Sequence, residues 1–410
     1  MMAAIFLLPL ALAISVQTIH AAPRTTLWQI QSVDTMKYSR DLAREKLNDN
    51  KFDAVIDQQI KNIAATGATY VAIATPYDEE FYPFLSRWVS TARKYNLGVW
   101  FRGNWSGWER WFNYPSISRE DLLIQTEKFI TSHPKMFADG DVFSPCPECE
   151  NGGIGDPRHT GDVSGYRGFL LQQYSKASTA FTKINKQVLV LNSHNLDVAK
   201  LIMDSSTSAG LGGIIAVDHY VSSPQKLVND LSDLSSKTGA QIILGEFGVP
   251  IKDLHGNMTE IQQSGWLDSA LRGLSLTKSV IGVNYWTSVG GSTQLWSTSG
   301  KSRSAVGMLT SYYIPKTISG IIVNALDEPV AKAQIFSTVR TVQTDSQGRF
   351  QLAYLEENNP LLISAPGYYS TEYHNYSENQ IHRIIVKKVH EGILFRLKYL
   401  LLQLKKSILH

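Results

Sequence analysis

Between Thr25 and Tyr313, short β-rich apolar runs alternate with longer stretches of helical periodicity, and this alternation narrows the fold more than any other feature of the chain. The strand candidates are Leu27 to Gln31, Tyr70 to Ala74, Gly98 to Arg102, Asp141 to Ser144, Gln187 to Asn192, Gly213 to Asp218, Gln241 to Glu246 and Val280 to Trp286. Runs such as VLVL, GIIAV and IILG are apolar almost without interruption, as a parallel sheet covered on both faces requires. Helix-like stretches lie between them, and AVIDQQIKNIAATG and PQKLVNDLSDLSSKTG end in the Gly expected of a helix C-cap. Eight βα units within residues 23–313 fit an α/β fold, the (β/α)8 TIM barrel. A doubly wound open sheet is the alternative, weakened because no Gly-rich nucleotide fingerprint follows the first strand.

After Tyr313 the pattern changes to β-branched residues, two-residue alternation and turn signals at Asp327 and at Asp345 to Gly348. Residues 317–388 therefore read as a separate small antiparallel β-sandwich. Gly320, Pro329, the set Thr344, Asp345, Gly348 and Phe350, and the run Ala365-Pro366-Gly367-Tyr368 resemble the carboxypeptidase-regulatory-like modules. That resemblance implies an accessory role.

The remaining segments bear on location. Residues 1–22 carry an apolar run from Ala3 to Val16 followed by Ala21 and Ala22, the pattern of a cleaved signal peptide, although no Lys or Arg precedes the run. A buried or membrane-anchoring N-terminal helix is the alternative, and the run is short for a span. A secreted or extracytoplasmic protein is expected. The tail, 389–410, mixes Arg396, Lys398, Lys405 and Lys406 with leucines, which suits a basic amphipathic segment on a membrane surface or cell wall, a helix docked on a partner, or a disordered end. The net charge of +3 over 410 residues is small and scattered, which argues against a nucleic-acid partner.

The chain has two cysteines, Cys146 and Cys149, in the stretch PCPECENGG. In an oxidising compartment such neighbours tend to pair. A thiol-disulfide redox site is the rival reading. No second Cys/His pair with zinc-site spacing occurs, so neither a metal nor another cofactor is expected.

A TIM barrel gathers its chemistry at the C-terminal ends of its strands. Those ends here are polar, acidic and aromatic. Glu246 in ILGEFG closes the seventh strand candidate directly after an apolar run, and Glu148 or Glu150 follows the fourth, so two carboxyl groups face each other across the mouth. A pair held about 5–5.5 Å apart is what retaining glycoside hydrolysis needs. FRGNWSGWERWFNY after the third strand concentrates aromatic rings, and sugar faces pack on such rings while their hydroxyls seek polar neighbours. Trp105 and Trp108 are the candidate platforms, with Arg102 and Asn104 beside them; Trp100, inside the strand, reads as core. Asn192 and His194 follow the fifth strand, Asp218 and Tyr220 the sixth, and Trp286 the eighth.

Glu148, the set Asp218-His219-Tyr220, the run Gly245-Glu246-Phe247-Gly248 and Trp286 together resemble the clan A retaining glycoside hydrolases, the TIM-barrel glycanases that include family-5-like enzymes. The resemblance spans roughly 25–313. It implies Glu246 as nucleophile, Tyr220 as its hydrogen-bond donor, Trp286 as the floor of the cleavage subsite, and a secreted hydrolase acting on O-glycosidic bonds of a carbohydrate. It fits Glu148 better than Glu150 as acid/base. Pro147 stands where these families place an Asn that binds the sugar 2-hydroxyl, so Asn192, His194 or Asn151 is left to supply that bond. A non-catalytic carbohydrate-binding or cell-surface protein on a degenerate barrel is the alternative.

Overall fold

The computed structural model describes residues 25–389 except 154, 339, 356–358 and 379. The expected signal peptide and all of the basic tail beyond residue 389 lie outside the described residues.

Nine parallel strands form one curled sheet: β1 (Ile30–Asp34), β2 (Tyr70–Ile73), β3 (Gly98–Phe101), β4 (Val142–Phe143), β5 (Leu189–Val190), β6 (Ser193–Asn195), β7 (Ile214–Asp218), β8 (Gln241–Phe247) and β9 (Val280–Tyr285). Their order is β5-β4-β3-β2-β1-β9-β8-β7-β6, so β1 pairs with β9 and the ring comes round to β5 and β6. This is the (β/α)8 TIM barrel, with one correction to the strand reading. The fifth candidate, Gln187 to Asn192, is broken in two: Leu189–Val190 pairs with β4 and Ser193–Asn195 with β7. The physical reason is local. Asn192 turns its Oδ1 to accept from the Cys146 amide at 2.9 Å, and its Nδ2 donates to Gln173.

Ile30, Ala72, Trp100, Val142, Leu191, Ala216, Ile243 and Ile281 pack together inside the ring as an apolar plug. Side chains alternate along a strand, so the next inward residues after Ile30, Trp100, Leu191 and Ala216 are Ser32, Arg102, Ser193 and Asp218. An apolar floor thus carries a polar layer at the C-terminal end. Outside, helices cover the sheet. In helix Pro224–Thr238, Ser223 caps the Lys226 amide, Pro224 occupies the first turn, and Gly239 follows the last residue. Its buried stripe is Leu227, Leu231 and Leu234, each burial stabilising by about 2 kcal/mol.

The C-terminal module is a two-sheet sandwich. One sheet is ordered β13-β10-β16 and the other β12-β11-β14-β15, where β10 is Lys316–Asn324, β11 Gln334–Phe336, β12 Thr341–Gln343, β13 Arg349–Tyr354, β14 Leu361–Ser364, β15 Thr371–Tyr373 and β16 Ile381–Val386. The pairing is antiparallel except between β10 and β16, which run parallel. Ile318, Ile322, Ile335, Leu352, Ile363 and Ile384 fill the space between the sheets.

Candidate active site

Arg102 follows β3 and is buried under the mouth, with its guanidinium 5.2 Å from the Trp100 ring centroid. Its Nη2 donates to Asp218 Oδ2 at 3.0 Å, to Glu246 Oε1 at 3.0 Å and to Ser193 Oγ at 3.2 Å. Nη1 donates to the Gly245 carbonyl and lies 3.8 Å from Asp34 Oδ2. One buried cation therefore holds three carboxylates from β1, β7 and β8. Burial alone pulls Arg102 down, but the charges of Asp218, Glu246 and Asp34 more than offset it and raise its pKa. Burial pushes Asp218 up to about 8 and Asp34 up to about 6; in both cases Arg102 opposes the shift and Glu246 adds to it. Gly245 is where the backbone lets this cluster close: a Cβ there would meet Asp218 Oδ1 at 2.4 Å. Removing the cation by Arg102→Ala leaves buried carboxylates unpaired, and a loss of roughly 3–5 kcal/mol in urea denaturation is expected.

Glu246 receives a second donor, the Tyr220 hydroxyl, which reaches Oε2 at 2.9 Å. The Tyr220 ring meets Trp286 edge-on with centroids 6.1 Å apart. Trp286 is half-buried beside this pair, and the Lys37 ammonium stands 5.6 Å from its ring centroid. Glu246, Tyr220, Trp286, Asp218 and Arg102 are thus brought together at one end of the barrel.

Across the mouth, the two glutamates of PCPECENGG have opposite environments. Glu150 is buried, and its oxygens take the Asn195 amide at 2.7 Å, Asn195 Nδ2 at 3.2 Å, and the Tyr166 hydroxyl at 3.4 Å; His194 Nδ1 lies at 3.3 Å. Burial pushes the Glu150 carboxyl up, yet the His194 and Asn195 hydrogen bonds outweigh it and hold the group below its ordinary value. Glu148 is only half-buried, with Asn151 Nδ2 donating to Oε2 at 3.0 Å. Its pKa is raised well above the ordinary carboxylate value, first by burial and then by Asp218, Glu246 and Glu150. Glu148 therefore belongs electrostatically to the cluster under the mouth, while Glu150 ties the loop to β6.

The Glu148 backbone lies in the left-handed region, φ 46°, ψ 48°, which costs a non-glycine residue about 1–3 kcal/mol and persists only where the surroundings fix it. Here the Glu148 amide donates to the Ser193 carbonyl at 2.8 Å, and Cys146 and Cys149, both fully buried, are joined in a disulfide on either side. A double Cys146→Ala, Cys149→Ala variant is expected to keep the barrel but lose roughly ten- to a hundredfold in turnover of a glycan substrate. Unchanged turnover would reduce the bridge to packing. A complete loss with thiol-dependent electron transfer in the native protein would support a redox site.

The loop after β3 was expected to offer sugar platforms, but the structure gives its residues other work. Trp108 is buried, stacks on Phe169 at 5.5 Å, and donates from Nε1 to the Cys149 carbonyl at 3.0 Å. Gly153 makes room for it: its φ is +58°, and a Cβ would come within 2.2 Å of the Trp108 ring. Trp105 is buried against Tyr77 and Phe129. Asn104 is buried too, donating to Glu109 Oε1 at 2.7 Å and accepting from the Trp105 amide at 2.8 Å. Asn192 and His194 are spent on Cys146 and Gln173, and on Glu150. Of the three residues left to replace the Asn missing before Glu148, Asn151 is the one that hydrogen-bonds the carboxyl of that glutamate among the described residues. Trp111, another ring of that aromatic stretch, is half-buried with the Arg40 guanidinium 4.8 Å from its ring centroid.

Three further groups join the site, of which Asp34 was read from the sequence only as part of the strand end Gln31 to Asp34, and Asn284 and Glu109 were not chosen from it. Asp34 ends β1; Asn284 in β9 donates to the Gly245 carbonyl at 2.8 Å and to Asp34 at 3.3 Å. Their signal was position at strand ends on the inward face. Glu109, beside Asn104, is pushed up to about 7, chiefly by burial. Among the described residues no group of three or more His, Cys, Asp or Glu is arranged to hold a metal ion.

No family model matches the chain, and no curated protein matches it. Solved structures do. A GH5_18 protein from Streptomyces cattleya in complex with GlcNAc superposes with a TM-score of 0.54 at 12% identity, covering 74% of this chain and 85% of its own. A variant of that protein in complex with Manβ1-4GlcNAc gives 0.53 at 11% identity, over 74% and 85%. A β-glucuronidase 2 from Bacteroides uniformis gives 0.46 at 10% identity; it covers 81% of this chain, which spans only 44% of that protein's length. The two Streptomyces cattleya structures share the (β/α)8 barrel with this chain. At these identities the likeness is one of fold.

Proposed function

We propose that this chain is a retaining glycoside hydrolase that cleaves O-glycosidic bonds of a polysaccharide or oligosaccharide, with Glu246 as nucleophile and Glu148 as acid/base. The observation that carries the reading is the contrast across the mouth. Glu246 is held by Arg102 and Tyr220, while Glu148 faces the same carboxylates without a cation of its own and has a raised pKa. A carboxyl whose surroundings favour its protonated form, opposite one fixed by a cation and a hydroxyl donor, is the division of roles that an acid and a nucleophile require.

In the first step a Glu246 oxygen bonds the anomeric carbon as the bond to the leaving oxygen breaks, and Glu148 gives its proton to that oxygen. In the second, Glu148 takes a proton from water, the water oxygen bonds the anomeric carbon, and Glu246 leaves as the carboxylate. Tyr220 steadies Glu246 between steps. Trp286 is the floor for the reacting sugar, and Asn151 is the polar neighbour placed beside Glu148. Asp34, Asp218 and Arg102 position the nucleophile from below. A 2-deoxy-2-fluoro glycosyl fluoride is expected to label Glu246 covalently in peptide mass spectrometry, and proton NMR is expected to show a first-formed product that keeps the substrate's anomeric configuration. Labelling at another residue, or inversion, would overturn the reading.

A carbohydrate-binding protein without turnover is the second reading, favoured by Pro147 in the place of the expected Asn. Glycan binding without release of reducing ends would select it. The buried disulfide supports an extracytoplasmic location, in keeping with the signal-like N-terminus. The β-sandwich, by its two-sheet build and its turn residues, is proposed as an accessory module of the carboxypeptidase-regulatory-like kind, which together with the basic tail would hold the enzyme at a cell wall or membrane surface.

A further inference from the structure

A groove of about 470 Å³ opens from Asp218 and Tyr220 and runs outward across the ends of β6 and β7. Glu148 stands on the same side of the mouth, since its amide bonds the Ser193 carbonyl in β6. A proton donor must lie beside the oxygen that departs, so the departing part of a substrate passes into this groove.

Aromatic stacking is not what the groove offers, because apart from Tyr220 and the His219 imidazole its walls carry no ring. It offers charge instead. Lys200, Lys226 and Arg158 line it against the carboxylates of Asp197 and Asp230 outside the central cluster. Asp230 is the organiser: Lys226 Nζ reaches it at 2.8 Å, Lys200 Nζ at 3.1 Å and His219 Nε2 at 2.8 Å. Its own side chain is only 11% exposed, whereas those of Lys200 and Lys226 are 42% and 57% exposed. One shielded carboxylate therefore gathers two ammonium groups, and each still has N–H donors to give to the groove. Arg158 is held between two carboxylates, Asp156 and Asp197, so the positive excess is local to the lysine pair, whose two charges face the single charge of Asp230.

We infer that this groove is the leaving-group subsite and that Lys200 and Lys226 select a glycan bearing an anionic substituent there, a carboxylate or a sulfate. The inference rests on the glycosidase reading for its placement, but the charge selection is measurable without turnover. Calorimetry on the full chain compares uronate-containing oligosaccharides, the same oligosaccharides with their carboxyl groups reduced to alcohols, and O-sulfated neutral oligosaccharides. The wild type is expected to bind an acidic set roughly tenfold more tightly than the reduced set, with the advantage shrinking between 50 mM and 500 mM salt. A Lys200→Gln, Lys226→Gln variant is expected to lose that advantage and to bind the reduced set unchanged. Preference confined to the uronate set or to the sulfated set identifies the anion, and either supports the inference. Equal binding of acidic and neutral sets by the wild type, or equal weakening of both by the variant, would overturn it. If acidic glycans bind selectively and none is cleaved, the selection stands and the hydrolase reading falls. If neutral glycans are cleaved and acidic ones are not preferred, the reverse holds.

Discussion

Glu246→Gln is expected to reduce turnover about 10⁴-fold or more while leaving melting behaviour and glycan affinity close to the wild type. The amide keeps the shape and can still accept from Arg102 Nη2 at one end, but it cannot form the glycosyl ester that splits the reaction into two steps. A variant that binds but does not turn over separates the nucleophile from the packing around it. Activity within tenfold of the wild type, measured by reducing-end release, would remove Glu246 from the chemistry. Because Arg102 then faces two buried carboxylates rather than three, circular dichroism melts at matched pH check that the fold is retained.

The second large effect concerns Glu148. Its acid form is favoured by burial and by the negative charges of Asp218, Glu246 and Glu150, so the group is protonated at pH values where an ordinary glutamate is not. Glycosidic cleavage needs that proton, and activity is therefore expected to fall as pH rises through the elevated Glu148 pKa. Glu148→Gln is expected to lose roughly 10²–10⁴-fold in kcat on natural glycans and far less on aryl glycosides whose leaving groups need no proton. The alkaline limb of its pH profile should vanish with the carboxyl. Glu150→Gln gives the control. That group is already anchored to Asn195, with Tyr166 and His194 beside it, so its replacement should show in stability and leave the leaving-group dependence and the pH limb in place. Swapped results for the two variants would make Glu150 the acid.

The barrel was legible because near-continuous apolar strands and capped amphipathic helices repeat along the chain, and a repeat of that kind has few ways to bury itself. Glu246 was legible for the same reason: a carboxylate that follows the apolar run Ile242–Leu244 and Gly245 in β8 has to emerge at the strand end. The loops were not. Nothing local to Trp105 and Trp108 says that they turn inward, since their partners, Tyr77, Phe129, Cys149 and Phe169, come from other segments of the chain. Composition records that a loop is aromatic, not which face of it meets solvent. The break between β5 and β6 was hidden likewise, because Asn192 leaves the strand to bond an amide 46 residues away. Glu148 and Glu150 differ by two positions in a loop without strand or helix periodicity, so their separate environments appear only once β6 is in place.

That break has a consequence for how the protein can change. At the interrupted fifth stave the ring is stitched by the segment that bears Glu148: the Cys146 amide holds Asn192, the Glu148 amide holds Ser193, and Glu150 holds Asn195. The seam of the barrel and the hinge of its chemistry are one piece of chain. Grafting a different loop at 145–153 to alter specificity would therefore unfasten the scaffold as well.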